Sequence, residues 1–360
     1  MDKKKSIVSI AAIMAISVVS ADQMAGSKNN PAANSINRGH EVSADQMGAG
    51  YNQSAMYDVT GTWDWFLEGS FIYWQTSQEG MDLGVTRVLP VGSPGRKVRY
   101  QDFDYKPGFK VALGFDTTFD DWVFFGEYTW LHHNNRHTKH YTGNTTLNAR
   151  PWVDPTNETH LTRLTSNWDF DLDIFDLALS RPFYQGTRLT VNPVFGLRAM
   201  WLDQSLTMHV TPTGKPASVR NKVRYTSDSW ALGPRGGLLS NWHLGAGFRI
   251  IGNAYAGLLY TRYTKVKDKQ GTQGGATAVS VSNGTRNWLR PQLEFDLGLG
   301  WGRYIYGDKY HIDFSATYDY LVFFNQNMMR WMSDRVSIGS DGGPSNLYLQ
   351  GLTLTGRFDF

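Results

Sequence analysis

The chain has no cysteine among its 360 residues. That excludes a disulfide framework, thiolate chemistry and any cysteine-ligated metal. A charge imbalance is missing as well: 35 lysines and arginines stand against 32 aspartates and glutamates, a formal +3. Lys3, Lys4 and Lys5 against Asp2 account for most of it. The remainder is close to neutral and lacks the basic face that nucleic-acid binding usually needs. Long apolar runs are scarce too. Only Ile7–Val19 approaches a membrane helix, and each helical span needs about 20 predominantly apolar residues, so a polytopic helical membrane protein is excluded. What the chain does have is aromatic residues, at 14%, and 37 glycines. That aromatic load offers more apolar surface than a disordered chain carries.

Residues 1–20 read as a secretory signal peptide. Three lysines precede the apolar run Ile7–Val19, and the small residues Ser20 and Ala21 suit a cleavage site. The run is too short to cross about 30 Å of hydrocarbon as a helix. Residues 21–60 are small and polar, and read as a flexible N-terminal extension. Ser20-Ala21-Asp22-Gln23-Met24 echoes Ser43-Ala44-Asp45-Gln46-Met47, too short an echo for a structural repeat.

From residue 61 to 360 the hydropathy has a period of two. Phe109, Val111, Leu113, Phe115 and Phe119 alternate with Lys110, Ala112, Gly114 and Asp116. Leu293, Phe295, Leu297, Leu299 and Trp301 alternate with Glu294, Asp296, Gly298 and Gly300. Successive side chains of a strand point to opposite faces, so these segments are strands with one apolar face. In Trp168–Ile174 the apolar residues oppose Asp169, Asp171 and Asp173, and the phase is expected to slip at Phe175 through a bulge. A soluble sandwich buries the apolar face; an outer-membrane barrel turns it to lipid. The barrel is favoured by aromatic residues at the segment ends, by the segment lengths, and by connections that alternate between short and long.

The expected fold is therefore all-β, a transmembrane antiparallel up-and-down β-barrel with an even strand number between 10 and 16. Ten strands are centred within 63–75, 108–118, 122–131, 167–181, 187–203, 225–239, 252–265, 288–302, 310–324 and 347–360. Short connections fall at 119–121, 182–186 and 303–309, with a longer one at 240–251 on the same side. Long connections fall at 76–107, 132–166, 204–224, 266–287 and 325–346, of which 80–105 and 205–224 have room for further hairpins. The last strand alternates Leu352, Leu354, Phe358 and Phe360 and ends on an aromatic residue. Such an ending resembles the sorting signal read by the bacterial barrel-assembly machinery.

The segment Trp63-Asp64-Trp65-Phe66-Leu67-Glu68-Gly69-Ser70-Phe71-Ile72-Tyr73-Trp74-Gln75 resembles the first strand of the pore-forming major outer membrane proteins of Legionella and their relatives in chlamydia-like bacteria. Pro107–Phe115, Gly233-Pro234-Arg235-Gly236-Gly237-Leu238, Trp242-His243-Leu244-Gly245 and Gly351-Leu352-Thr353-Leu354 resemble the same family. The resemblance implies an outer-membrane porin for ions and small hydrophilic solutes, and a surface antigen, in contact with outer-membrane lipid and lipopolysaccharide. A homo-oligomer stays open. The disulfide cross-linking of chlamydial relatives does not carry over to a chain without cysteine.

Candidate pore-lining residues are Glu68, Lys110, Asp116, Glu127, Asp169, Asp171, Asp173, Arg198, Arg235, Glu294, Asp296, Asp313, Asp319 and Arg357. Charges on the lumen face stay solvated, whereas Arg or Lys on the lipid face at the bilayer midplane costs about 2–4 kcal/mol. Rings of like charge bias which ion enters, and the acidic excess leans towards cations. Basic clusters at Arg87, Arg96, Lys97 and Arg99, and at Lys265, Lys267 and Lys269, act the other way. His132, His133, His137, His140 and His160 fall in one connection, but their spacing fits no compact metal motif. Asn144, Asn157 and Asn283 begin chance glycosylation patterns. No nucleophile elbow or fixed catalytic constellation stands out, and no cofactor is implied. The rival reading is a surface-exposed structural or adhesin barrel plugged by its own loops, with little transport.

Overall fold

The computed structural model describes residues 54–360 except 58, 62, 89–95, 118–119, 142–144, 150–151, 154–159, 214–219, 273–276 and 340–342. The expected leader and most of the extension lie outside the described residues, as do Asn144 and Asn157. In chain order the strands are β1 (Trp65–Gln78), β2 (Asp82–Val88), β3 (Arg96–Tyr100), β4 (Tyr105–Asp116), β5 (Val123–His140), β6 (Thr145–Asn148), β7 (His160–Ser180), β8 (Phe183–Tyr184), β9 (Leu189–Pro212), β10 (Asn221–Gly245), β11 (Phe248–Thr272), β12 (Thr277–Asn283), β13 (Arg286–Ile305) and β14 (Tyr310–Asn327). Helix α1 (Met328–Ile338) and β15 (Ser345–Asp359) complete the chain.

Ten strands close a barrel in the order β1-β4-β5-β7-β9-β10-β11-β13-β14-β15, every neighbour antiparallel. The closing pair is β1 with β15, in unbroken register from Phe66↔Asp359 to Gln78↔Leu347. Closure removes sheet edges from the spanning region, which a bilayer demands because it offers no water to unpaired backbone groups. The apolar parity of each strand faces outwards there: Leu67, Phe71, Val111, Leu113, Phe195, Leu197, Leu297 and Leu299 are all exposed. Aromatic rings bracket this band. Trp65 packs on Phe115 and Phe115 on Phe124 at one end; Tyr73 packs on Tyr105, Trp230 on Tyr260 and Tyr320 on Tyr348 at the other.

Connections on the first side are tight. Ala246 and Gly247 join β10 to β11 with φ of 51° and 83°, so the longer connection expected at 240–251 is a two-residue turn. The run Gly245-Ala246-Gly247 makes it affordable, since glycine enters the left-handed region without a Cβ penalty. Glycine also permits close approach between neighbouring strands of the wall. A Cβ on Gly298 in β13 would collide with the Ala316 carbonyl oxygen of β14. Gly298→Val is therefore expected to cost about 1–3 kcal/mol or more through backbone displacement. It should lower the yield of heat-modifiable folded barrel on gels, whereas Gly69→Ala, with open space around its Cβ, should not.

On the other side five strands do not stop at the aromatic ring. β5, β7, β9, β10 and β11 run on together, and the segments read as loops at 132–166, 204–224 and 266–287 are largely strand. Within them, β12 pairs with β11 and β6 with β7. The hairpin allowed for in 80–105 is β2–β3; β2 joins β6, and the sheet terminates at β3. In this outer extension the faces invert: the apolar parity points inwards. Trp168, Phe170, Leu172 and Ile174 are buried with Leu131, Leu202, Leu206, Met208, Val223 and Tyr225 in one core. The expected bulge at Phe175 is absent, because β7 keeps register with both neighbours from Arg163 to Ser180. What changes along β7 is the surroundings of each face, from water and core to lipid and lumen.

Helix α1, in the connection 325–346, was not foreseen from the sequence. The Asn327 side chain caps it by accepting from the Arg330 amide at 3.0 Å, and Gly339 ends it at φ 64°. Its Met328, Met329 and Met332 join the core. Arg330 bonds Asp82, Asp334 at 2.9 Å and the Gly80 carbonyl at 3.0 Å, stitching helix to the β1–β2 turn. Burial alone would lower its pKa, but Asp82 and Asp334 outweigh burial and hold the guanidinium above its ordinary value.

Candidate functional site

Inside the spanning part, the polar parity of the strands converges on a cavity of about 250 Å³. Of the sequence candidates, Glu68, Lys110, Asp116, Glu127, Arg235, Glu294, Asp296, Asp313, Asp319 and Arg357 line it. Arg198 faces the same interior, paired with Asp176. Alternation places them there: each occupies the parity opposite an exposed apolar neighbour on its strand.

The charges are organised into paired networks. Arg198 grips Asp176 through two bonds, Nε to Oδ1 at 2.7 Å and Nη2 to Oδ2 at 2.6 Å, and reaches Glu294 at 3.0 Å. Arg235 binds Glu294 at 2.8 Å and Asp176 at 3.4 Å, its guanidinium 3.6 Å from the centre of the Tyr255 ring. Nearer the tight turns, Arg357 binds Asp359 at 2.5 Å and Glu68 at 3.2 Å, and Arg249 forks onto Asp313. His311 Nδ1 lies 2.9 Å from Asp359 Oδ2. Lys110 sits between Asp319, at 3.6 Å, and the Trp74 ring, at 4.8 Å. Thr353 donates to Asp319 at 2.6 Å and accepts from Trp74 Nε1 at 3.0 Å. Asp296 takes one bond, from Asn253 at 3.3 Å, and its Oδ1 has no partner among the described residues. Fork-shaped guanidinium–carboxylate pairs are strong and geometrically specific, so these networks brace the lumen more than they wet it.

Among the described residues, packed groups flank the cavity at both ends. Towards the turns, the Ala55 amide donates to the Pro182 carbonyl, Ser54 bridges to Phe183 and Tyr57 stacks on His311 at 4.3 Å. Towards the outer extension, Ile72, Trp74, Leu131, Ile174, Met200, Leu259, Leu321 and Leu349 are each at most 2% exposed. They continue into the core of the extension, where Trp152 donates to the Asp82 carbonyl at 2.6 Å and Tyr225 to the Trp152 carbonyl at 2.9 Å.

Three candidates lie elsewhere. Asp169, Asp171 and Asp173 are on the outside of the extension, on the parity that continues as outward Leu177 and Leu179. Asp173 accepts from Tyr128 at 2.6 Å and pairs with His132 at 3.1 Å, and Asp169 accepts from Asn134. Alternation alone puts them in the lumen by giving their apolar partners to lipid, whereas those partners fill the core of the extension. The histidines also separate: His132 faces out, His133 faces in to Thr76 at 3.0 Å, and His137 meets Asp102 at 3.1 Å. Among the described residues no three metal-ligating side chains come together. Sequence reasoning missed Asp176, hidden in the apolar run Ile174–Leu179, and Arg249, beside the parity-blurring pair Ile250-Ile251. Asp359 carried a signal in its alternation with Phe358 and Phe360.

None of the curated proteins matches the sequence. Solved structures similar to this chain include the outer membrane protease OmpT of Escherichia coli, at 9% identity over 82% of this chain and 96% of that one, with a TM-score of 0.42. A FadL homologue of Pseudomonas aeruginosa aligns at 9% identity over 82% and 89%, TM-score 0.26. Ail, the attachment invasion locus protein of Yersinia pestis, aligns at 10% over 81% and 97%, TM-score 0.21. The model of the family described as Legionella pneumophila major outer membrane protein precursor matches residues 58–360, the whole of the barrel. The chain belongs to that family, and the membrane its aromatic rings bracket is the bacterial outer membrane.

Proposed function

We propose that the protein is a surface barrel, one that presents a folded outer extension to the exterior and whose lumen is shut in this conformation. The observation that carries this reading is the largely apolar core filling the outer part of the barrel, with Trp74, Trp168, Phe170, Tyr225 and Tyr263 fully buried in it. Exposing a large apolar side chain costs about 1.5–3 kcal/mol. Opening a path through a dozen such side chains would cost roughly 20 kcal/mol or more, beyond the ~5–15 kcal/mol that holds a domain together. Opening this core is therefore an unfolding of the outer extension, not a small fluctuation.

The second reading, a porin for ions and small hydrophilic solutes, is favoured by the charged cavity in the spanning part. Planar-bilayer recordings of the full folded chain separate the two. A surface barrel is expected to give no reproducible current steps once folding is verified by heat-modifiable migration. Steady unitary steps with a defined reversal potential in a salt gradient would overturn it in favour of the porin, and the sign of that potential would report the effect of the acidic lining. Catalysis is not part of this reading, since most of the buried acids and bases are paired with one another.

A further inference from the structure

The exterior of the outer extension is electrically two-sided. On β7 and β9 it carries Asp169, Asp171, Asp173 and Asp203. On β10 and β11 it carries Lys222, Arg224, Arg262, Lys265, Lys267 and Lys269. The register sets these cations beside one another, Arg224 opposite Lys269, with Lys267 and Lys265 following below on the same face. Five of the six are exposed and Lys265 partly so. Asp228 pairs with Lys265 at 2.9 Å; the other five have no acidic partner among the described residues.

The position of this ladder is as telling as its charge. Its lowest member, Arg262, lies opposite Trp230 and two residues beyond Tyr260, whose ring is 6.1 Å from that of Trp230. Those two aromatics belong to the ring that marks the outer edge of the lipid band. Lys269 is nine residues beyond Tyr260, about 30 Å along a strand that rises ~3.3 Å per residue. The cations therefore begin at headgroup level and climb through the saccharide layer above it. Guanidinium and ammonium groups bind phosphate oxygens, and a row of them beside a membrane surface attracts anionic lipid headgroups additively.

We infer that the β10–β11 flank is a docking surface for the phosphorylated saccharide headgroup of outer-leaflet lipopolysaccharide, with Arg262 and Lys265 at the phosphates nearest the acyl chains and Lys267, Lys269, Arg224 and Lys222 towards the core saccharide. Continuity with the aromatic ring favours a lipid over a soluble polyanion, because a ligand free in solution gains nothing from a ladder that starts at the bilayer. The acidic β7–β9 flank repels the same phosphates, so headgroup density is biased to one side of the barrel. The inference is independent of whether the lumen conducts.

The test uses the full chain folded in detergent and titrated with diphosphorylated lipid A, with dephosphorylated lipid A as the comparison. Saturable binding that requires the phosphates is expected. Replacing Arg262, Lys265, Lys267 and Lys269 together by glutamine should weaken it about tenfold or more with unchanged heat-modifiable migration. Asp169→Asn with Asp171→Asn should leave it equal or tighter. Equal affinity in the glutamine variant would overturn the proposal. So would displacement of bound lipid A by a short heparin oligosaccharide at matched charge, which would assign the flank to a soluble polyanion. If the quadruple variant does not fold, Arg262→Gln alone, at an exposed position with no acidic partner among the described residues, gives the same reading with a smaller loss.

Discussion

Arg198→Met is expected to destabilise the barrel by about 3–5 kcal/mol, the cost of removing one member of a buried ion network. Arg198 is 2% exposed and Asp176 likewise, and Glu294 3%. Taking away the guanidinium strands Asp176 without its two-bond grip and leaves Arg235 alone between two carboxylates. The Gln292 side chain, which accepts from Arg198 at 3.1 Å, loses that partner too. Urea titration of the full chain in liposomes, followed by tryptophan fluorescence, checks the number. A double variant, Arg198→Met with Asp176→Leu, should recover much of the loss, because replacing both partners of a buried pair by apolar groups is often neutral. If the double variant is no better than the single, the network is not what holds these charges in place.

Trp168→Ala is expected to cost about 3–5 kcal/mol, concentrated in the outer extension. Trp168 is fully buried, edge-on to Phe103 and Phe170 with ring centroids 5.5 and 5.4 Å away. Its Nε1 has no hydrogen-bond partner among the described residues, so there the residue contributes volume and ring contacts. Trp168→Phe should accordingly cost far less than Trp168→Ala. Limited proteolysis of folded barrels should cut the alanine variant within 132–166 or 204–224, while the spanning strands stay protected and heat-modifiable. Protection equal to wild type in the alanine variant would mean that the extension does not depend on this core.

The spanning barrel was legible in the sequence because lipid and lumen impose opposite demands on alternate residues, and both demands are visible in composition. Phe109–Asp116 and Leu293–Gly300 show it most clearly, and the even strand count followed from the spacing of such segments. The interior of the outer extension was not legible for the same reason. Period-two alternation reports that a strand has two unlike faces and says nothing of which face meets lipid, water or core. Trp168–Ile174 has the same pattern as a lipid-facing strand, yet its apolar side chains look inwards and its aspartates meet solvent. Pairing information decides such cases: β7 extends past Trp130 and Trp201 in unbroken register, so the residues beyond the aromatic ring belong to another environment. Helix α1 escaped because Met328–Ile338 follows directly on a strand and runs into the glycine-rich stretch 339–343, leaving too few turns to declare a period. At the candidate site, alternation located the charged face but not its partners. That Asp176 and Arg249 complete the networks depends on cross-strand neighbours that no single strand discloses.

The sheet of the outer extension terminates at β3, with Arg96, Lys97 and Tyr100 exposed there. A terminal strand offers unpaired amide and carbonyl groups to any other strand, and a neighbouring barrel in the same leaflet carries an identical one. Two such edges meeting in the plane of a crowded membrane would bring like charges into opposition, which disfavours pairing. Among the described residues the chain thus leaves this edge open outside the bilayer, where its cationic side chains disfavour pairing with an identical edge.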